Sequence, residues 1–366
     1  MNFDLTDEQR LLRESLSGYL ARNYGFDARR TAAANGGWRP DIWRGFAAEL
    51  GLLGATLSEE EGGFGGGPVE TMLIAEELGR ALVMEPYVES VVVATALLRG
   101  EGGIGESLRA NIVSGQAIVA PALYEAGGRS NPAHVNSAAH TAGEGIAIEG
   151  SKAVVAAAPI ASHYLVSASE ADGVSLFLVE AGAEGVERRD FRLIDGRPAA
   201  DLSFSNTPAT RIGPSGSALP RIERAIDEGI AAICSEGVGL IDAMLSQTVE
   251  YTKQREQFGV AIASFQVLQH RMADMLALLE RARSMAVMAA LSLDLPAEER
   301  RRAVSAAKAF VSAALKTVGE SAIQLHGGIG TTEEIAVSHY FKRGTVIQGQ
   351  FGTAAWHLER MGRDEN

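Results

Sequence analysis

The hydrophobic pattern changes period twice along the 366-residue chain, from helical to strand-like and back. This switch limits the possible folds more than any single motif does. Near the N-terminus, Thr6-Asp7-Glu8-Gln9 reads as a capping box, and Leu12, Leu16, Tyr19 and Leu20 then fall on one helical face. Further helices are expected over 42–50, 69–82 and 87–98. Short β-rich runs follow at 117–120, 146–148, 164–167 and 174–179 and in the alternating Leu202-Ser203-Phe204, separated by Gly, Asp, Asn and Pro. Their connections are too short for crossover helices, which disfavours a doubly wound sheet. Beyond them, Phe265, Leu268, Met272, Met275 and Leu279 recur at spacings of three and four, the seam of a helix in a bundle. A second long helix is expected after Pro296, with Arg300-Arg301-Arg302 on a solvated face. The fold class is therefore α+β, mainly α. A helical N-terminal domain (1–113), a small, mostly antiparallel β-domain (114–213) and a C-terminal four-helix bundle (214–366) are expected.

Composition narrows the function. Lys and Arg number 33 against 46 Asp and Glu, a formal charge of −13, which disfavours nonspecific binding to nucleic acid or an acidic membrane. No basic-then-apolar leader is present, and no uncharged apolar run approaches the roughly 20 residues that span a bilayer. The single cysteine, Cys234, excludes an internal disulfide or a cysteine-based zinc site and points to a reducing, cytoplasmic setting. Its apolar neighbours mark it as a buried hydrophobe. The histidines show no metal-ligand spacing, and no G-x-S-x-G elbow is present. The glycine cluster Gly62-Gly63-Phe64-Gly65-Gly66-Gly67-Pro68 reads as a turn, because no strand precedes it and no Lys-Ser/Thr follows.

Two segments carry chemistry. The first is Tyr251-Thr252-Lys253-Gln254-Arg255-Glu256-Gln257-Phe258-Gly259, continuing to Ile262, Phe265-Gln266, His270 and Ala273-Asp274-Met275; the second is Gln324-Leu325-His326-Gly327-Gly328-Ile329-Gly330. An arginine before a turn can fork two charge-assisted bonds to a pyrophosphate, and Gly327 and Gly328 let a ligand approach the backbone. Phe258 offers an apolar wall, and Gln324 a donor and acceptor for an adenine or ribose edge. The alternative for either segment is a surface ion pair and a helix end.

In order and spacing, these segments resemble the Y-x-x-x-R-x-x-F-G, F-Q, A-D-M and Q-x-x-G-G-x-G signatures of the acyl-CoA dehydrogenase family, and the three-region order extends the resemblance over the whole chain. The resemblance implies FAD-dependent α,β-dehydrogenation of an acyl-CoA thioester in lipid metabolism. It also implies an electron-transfer flavoprotein or similar acceptor and a dimer or tetramer. It marks Arg255, Gln257, Phe258, Ile262, Gln266, Gln324, Leu325, Gly327, Gly328 and Thr353 as cofactor-binding, in a clamp that reaches the FAD of a neighbouring subunit.

Three departures stand out. The E-G-T segment that carries the family's catalytic glutamate is Phe351-Gly352-Thr353 here. The alternative base position on the preceding helix falls at Gly229, beside Glu228, the remaining candidate base; a one-residue step turns about 100 degrees around a helix. The flavin-contacting T-E-P-x-A-G-S-D and W-I-T segments read Tyr124-Glu125-Ala126-Gly127-Gly128-Arg129-Ser130-Asn131 and, after Gly150-Ser151-Lys152, Ala153-Val154-Val155. Groups used on a subunit's own flavin are lost, while those lent to a neighbour remain. The pattern is similar to the small subunit of pimeloyl-CoA dehydrogenase-like pairs, which share the run Asn2-Phe3-Asp4-Leu5-Thr6-Asp7-Glu8-Gln9-Arg10, Tyr340-Phe341-Lys342-Arg343 and His357-Leu358, and carry Asp where Thr353 stands. A paralogous partner carrying the base is thus expected. The alternatives are a homo-oligomeric dehydrogenase or oxidase with another base, and a non-catalytic scaffold.

Overall fold

A computed structural model describes residues 5–362, so Asn2-Phe3-Asp4 of the N-terminal run lies outside the described residues. The helices in chain order are α1 (Asp7–Asn23), α2 (Phe26–Ala34), α3 (Pro40–Ala48), α4 (Pro68–Arg80), α5 (Ala94–Leu98), α6 (Ile104–Val113), α7 (Leu219–Gln254), α8 (Gln266–Leu291), α9 (Ala297–His326), α10 (Ala336–Gly349) and α11 (Ala354–Gly362). The strands are β1 (Val119–Ala122), β2 (Ala138–Ala142), β3 (Gly145–Ala156), β4 (His163–Glu170), β5 (Gly173–Glu180), β6 (Val186–Arg192), β7 (Pro198–Ile212), β8 (Glu256–Gln257) and β9 (Val260–Ala261). The expected order is thus present: helices, a β-domain, then helices.

Contacts divide the chain into two compact units: 1–30, 68–83 and 230–366 form one, 31–67 and 84–229 the other. In the first unit the capping box forms in full. Thr6 Oγ1 accepts from the Gln9 amide at 3.2 Å, and Gln9 Oε1 accepts from the Thr6 amide at 3.0 Å. Helices α4 and α7 cross with their backbones touching. A Cβ on Gly79 would lie 2.1 Å from the Glu236 carbonyl oxygen, and one on Gly239 would lie 2.0 Å from that of Glu76. Only glycine fits at either position. The seam of α8 is half-buried at Phe265, Leu268 and Met272 and buried at Met275 and Leu279. Arg343 of α10 and Glu236 of α7 form a buried bidentate pair, both bonds 2.7 Å.

In the second unit, β4-β2-β3-β7-β5 closes on itself through the β4–β5 pairing, with β1 beside β4 and β6 beside β7. Pairing is antiparallel except where β4 meets β1 and β2. The glycine cluster is a turn that uses its own amides. Gly63, Phe64, Gly65 and Gly66 donate to the carbonyls of Ser58, Gly54, Leu57 and Ala55, leaving none of these N–H groups for a phosphate.

Several elements differ from expectation. Polar α2, β2 and β6 carry weak hydrophobic patterns and were not expected, nor was α6. The helix expected over 87–98 opens with a buried π-helical segment, Tyr87–Val93. Arg300 is buried rather than solvated, while Arg302 is exposed. Among the described residues one helix, α7, is long and apolar enough to cross a membrane, but 89% of its apolar window is buried inside the protein, as in a core helix.

Candidate functional site

The two motif segments meet through one pair. Tyr251, one turn before the end of α7, donates its hydroxyl to the carbonyl of His326 at 3.2 Å, and the two rings stack at 4.4 Å. His326 is the last residue of α9, and its Nδ1 donates to the Ala322 carbonyl at 2.8 Å. Burial, partly opposed by that bond, lowers its pKa.

From Tyr251 the chain runs into a two-stranded hairpin, β8–β9, whose turn is Phe258-Gly259. Both turn residues have positive φ, +56° and +80°, as a type I′ turn requires. A phenylalanine in that conformation is strained, and strain of this kind gathers at functional positions. The Phe258 side chain is 93% exposed, its ring edge-to-face with Phe265 at 6.2 Å. The hairpin is closed by the Ile262 amide donating to the Arg255 carbonyl at 2.8 Å. The Arg255 side chain is exposed and makes no hydrogen bond or ion pair among the described residues. Gln257 and Gln266 are exposed beside it, and Ile262 is half-buried.

At the end of α9, Gln324, Gly327 and Gly328 are exposed, and a Cβ on either glycine would meet nothing within 4 Å. Gly327 caps the helix at φ +66°, and the open space over it leaves the main chain reachable. Leu325 is buried, so only its main chain could serve a ligand. Thr353 stands apart from this cluster as the cap of α11, its Oγ1 accepting from the Trp356 amide at 3.3 Å.

The candidate base is occupied. Arg99 donates to both carboxylate oxygens of Glu228, at 2.8 and 3.0 Å, and Arg224 Nε adds a third bond at 2.8 Å. A carboxylate held in this way is an ion-pair anchor, with its lone pairs turned to guanidinium. At the other base position, half-buried Phe351 has φ +57° and no proton-accepting atom on its side chain.

In the β-domain, the retained parts of the two flavin-contacting segments bind each other. Fully buried Lys152 donates to Glu125 Oε1 at 2.7 Å and to Ser167 Oγ at 3.0 Å. Glu125 also accepts from the amides of Asn136 (2.7 Å) and Ser137 (3.0 Å). Burial raises the carboxyl pKa, but Lys152 and the two amides outweigh it and bring it down to about 2. Burial lowers that of the ammonium despite its partner. The pair staples β3 to the segment after β1. Cys234 is buried, and burial pushes its thiol pKa up to about 12, so it is no nucleophile. No cluster of three His, Cys, Asp or Glu among the described residues could hold a metal.

Models of the acyl-CoA dehydrogenase N-terminal, middle and C-terminal domains match residues 6–128, 120–207 and 219–365. The chain belongs to the acyl-CoA dehydrogenase family. It is 27% identical to acyl-CoA dehydrogenase IpdE2 of Mycolicibacterium smegmatis, covering 98% of each chain. Among solved structures, the ChsE4–ChsE5 complex from Mycobacterium tuberculosis aligns with a TM-score of 0.90 at 26% identity, covering 100% of this chain and 98% of that one. A Tcur3481–Tcur3483 steroid ACAD variant aligns with a TM-score of 0.89 at 29% identity, covering 98% and 97%.

As an acyl-CoA dehydrogenase-family protein, the chain is an oxidoreductase of the CH–CH class within a flavoprotein family whose cofactor is FAD. Sequence reasoning missed three features of this family member. Tyr251 and His326 belong to separate motif segments, and nothing in either segment shows that they touch. Glu125 and Lys152 lie in the two degraded segments, where an acid and a base at retained positions could have suggested a pair. The occupied state of Glu228 depends on Arg99, 129 residues away.

Proposed function

We propose that this chain is one subunit of a hetero-oligomeric acyl-CoA dehydrogenase and lends an FAD clamp to an unlike partner that carries the catalytic base. The observation that carries this reading is Arg255: exposed, unpaired among the described residues, and set on a hairpin whose tip is an exposed, strained phenylalanine. A guanidinium and a large aromatic left in water suit a surface completed by another chain.

FAD, when bound, supplies the two-electron acceptor chemistry of the family. This chain's residues would hold it: Arg255 on the pyrophosphate, Gln324 on an adenine or ribose edge, the main chain at Gly327 and Gly328 along the phosphates, Phe258 as an apolar wall. Gln257, Ile262 and Gln266 border the same surface, and Thr353 would add a contact from its own loop. The residues present fit such a clamp, since the glycine faces are open and the arginine has no competing partner. They do not supply a base, because Glu228 is tied by two arginines and Phe351 cannot take a proton. Two of the related solved structures bear paired names, ChsE4–ChsE5 and Tcur3481–Tcur3483, which supports an unlike partner. An acyl-CoA is the substrate of the pair, and an electron-transfer flavoprotein or similar protein its acceptor.

The test is co-expression with a paralogous chain. The reading expects the two to copurify with one FAD per pair, and expects Arg255→Ala in this chain to empty the pair of FAD. Copurification with FAD retained by the Arg255→Ala pair would overturn it.

A further inference from the structure

The link between α10 and α11 is held by its carbonyl groups. Lys308, on α9 and fully buried, donates from Nζ to the carbonyl of Gly352 at 2.8 Å, to Ser312 Oγ at 3.1 Å and to the carbonyl of Gln348 at 3.4 Å. The Gln348 carbonyl lies in the last turn of α10, where oxygens lack helical partners. His357, also fully buried, donates from Nε2 to the Phe351 carbonyl at 3.1 Å, and its Nδ1 accepts from Ser305 Oγ at 3.2 Å. Between these ties the chain takes positive φ at Phe351 (+57°) and Gly352 (+117°). A Cβ on Gly352 would lie 2.7 Å from the indole of Trp356, so that ring packs directly on the loop.

Among the described residues, no carboxylate pairs with Lys308. A buried ammonium without a counterion is costly, and a methionine would fill the same space. What the lysine adds is three donors matched to three acceptors.

We infer that Lys308 is the positioning residue of the loop over 349–353: its ammonium fixes the loop carbonyls and the start of α11, and losing its proton loosens them. The titratable and charged groups around it are few. Cys234 of α7 and His357 of α11 are both neutral at physiological pH, and Arg360 of α11 is a fixed cation bonded to Ser305 Oγ at 3.2 Å. From α10 the Gln348 main-chain carbonyl reaches it. With no carboxylate to retain the proton, burial pulls the Lys308 pKa from its ordinary 10.5 to about 8.

The sign separates loop order from global stability. Between about pH 8 and 10.5 the unfolded chain binds the proton that the folded chain has shed, so this group's contribution to stability rises with pH. Loop order falls over the same window. A contact of Thr353 with FAD would fall with it, and that consequence alone rests on the clamp reading.

Trp356 reports on the loop in the full chain without added cofactor. Its emission, taken as wild type minus Trp356→Phe, is expected to change with a midpoint near pH 8, the value for Lys308. Amide exchange over 349–353 should accelerate about tenfold beyond its intrinsic pH trend, the effect of losing a charge-assisted hydrogen bond. Lys308→Arg, which keeps its charge, should show no midpoint in this window, and Lys308→Met should exchange fast at every pH. Wild type and Lys308→Arg titrating alike would overturn the inference, as would slow exchange in a folded Lys308→Met. Should Lys308→Met not fold, the arginine comparison decides. A titrating loop with unchanged FAD retention in the paired enzyme would remove only the Thr353 contact.

Discussion

Tyr251 and His326, from α7 and α9, share a 3.2 Å hydrogen bond and a stacked ring contact at 4.4 Å, and through them the arginine hairpin and the glycine segment become one surface. Tyr251→Phe keeps the stack and deletes the bond. Losing about 1 kcal/mol of ordering should weaken FAD retention in the assembled enzyme roughly fivefold with little change in Tm, readable by flavin release.

The Arg255 side chain makes no hydrogen bond or ion pair among the described residues, so replacing it should leave stability within about 0.5 kcal/mol of wild type. FAD affinity of the assembly should nevertheless drop by about tenfold or more, as expected for a charge-assisted bond. Lysine should rescue only in part, because it lacks the planar fork. Thermal unfolding and FAD titration on the same preparations separate the two effects.

Phe258 sits at φ +56° with its ring in water. Asparagine tolerates that conformation, so Phe258→Asn should stabilise the isolated chain by about 1 kcal/mol while weakening assembly and FAD retention. Denaturant unfolding of the chain alone, set beside gel filtration of the pair, measures the trade.

Acid should destabilise the fold in two stages. Burial first, then the nearby Lys308 and Arg360, bring the His357 pKa from 6.5 to about 3. The unfolded chain therefore takes up this proton first, and stability falls as pH drops from about 6.5 to 3. Glu125, at about 2 against an ordinary 4.5, adds a second loss as pH falls through that lower range. His357→Gln should remove the upper stage, seen as a flatter plot of unfolding free energy against pH. Lys152→Met leaves a buried carboxylate alone and should destabilise by about 3–5 kcal/mol at neutral pH.

The parts of this molecule legible in sequence are those written locally. Thr6 and Gln9 lie three residues apart, and the structure closes the capping box as read. The seam from Phe265 to Leu279 is a periodic local signal, and its later positions, Met275 and Leu279, are buried as read. What depends on distant partners was not legible. Glu228 reads as an available carboxylate until Arg99 and Arg224 are seen to bind it, and Arg300 reads as solvated until its helix is packed. Strand β6, Val186–Arg192, is mostly charged and exposed, and it forms because β7 offers it an edge. The Gly79–Gly239 helix crossing is likewise invisible until α4 and α7 are placed together.

The central claim is that this chain contributes a clamp and not a base. Anaerobic reduction of bound flavin by an acyl-CoA, measured on the chain alone and with its paralogous partner, tests it most directly. The account predicts no reduction by the chain alone and complete reduction in the pair. An isolated homo-oligomer that holds FAD and bleaches it on adding the thioester would contradict it.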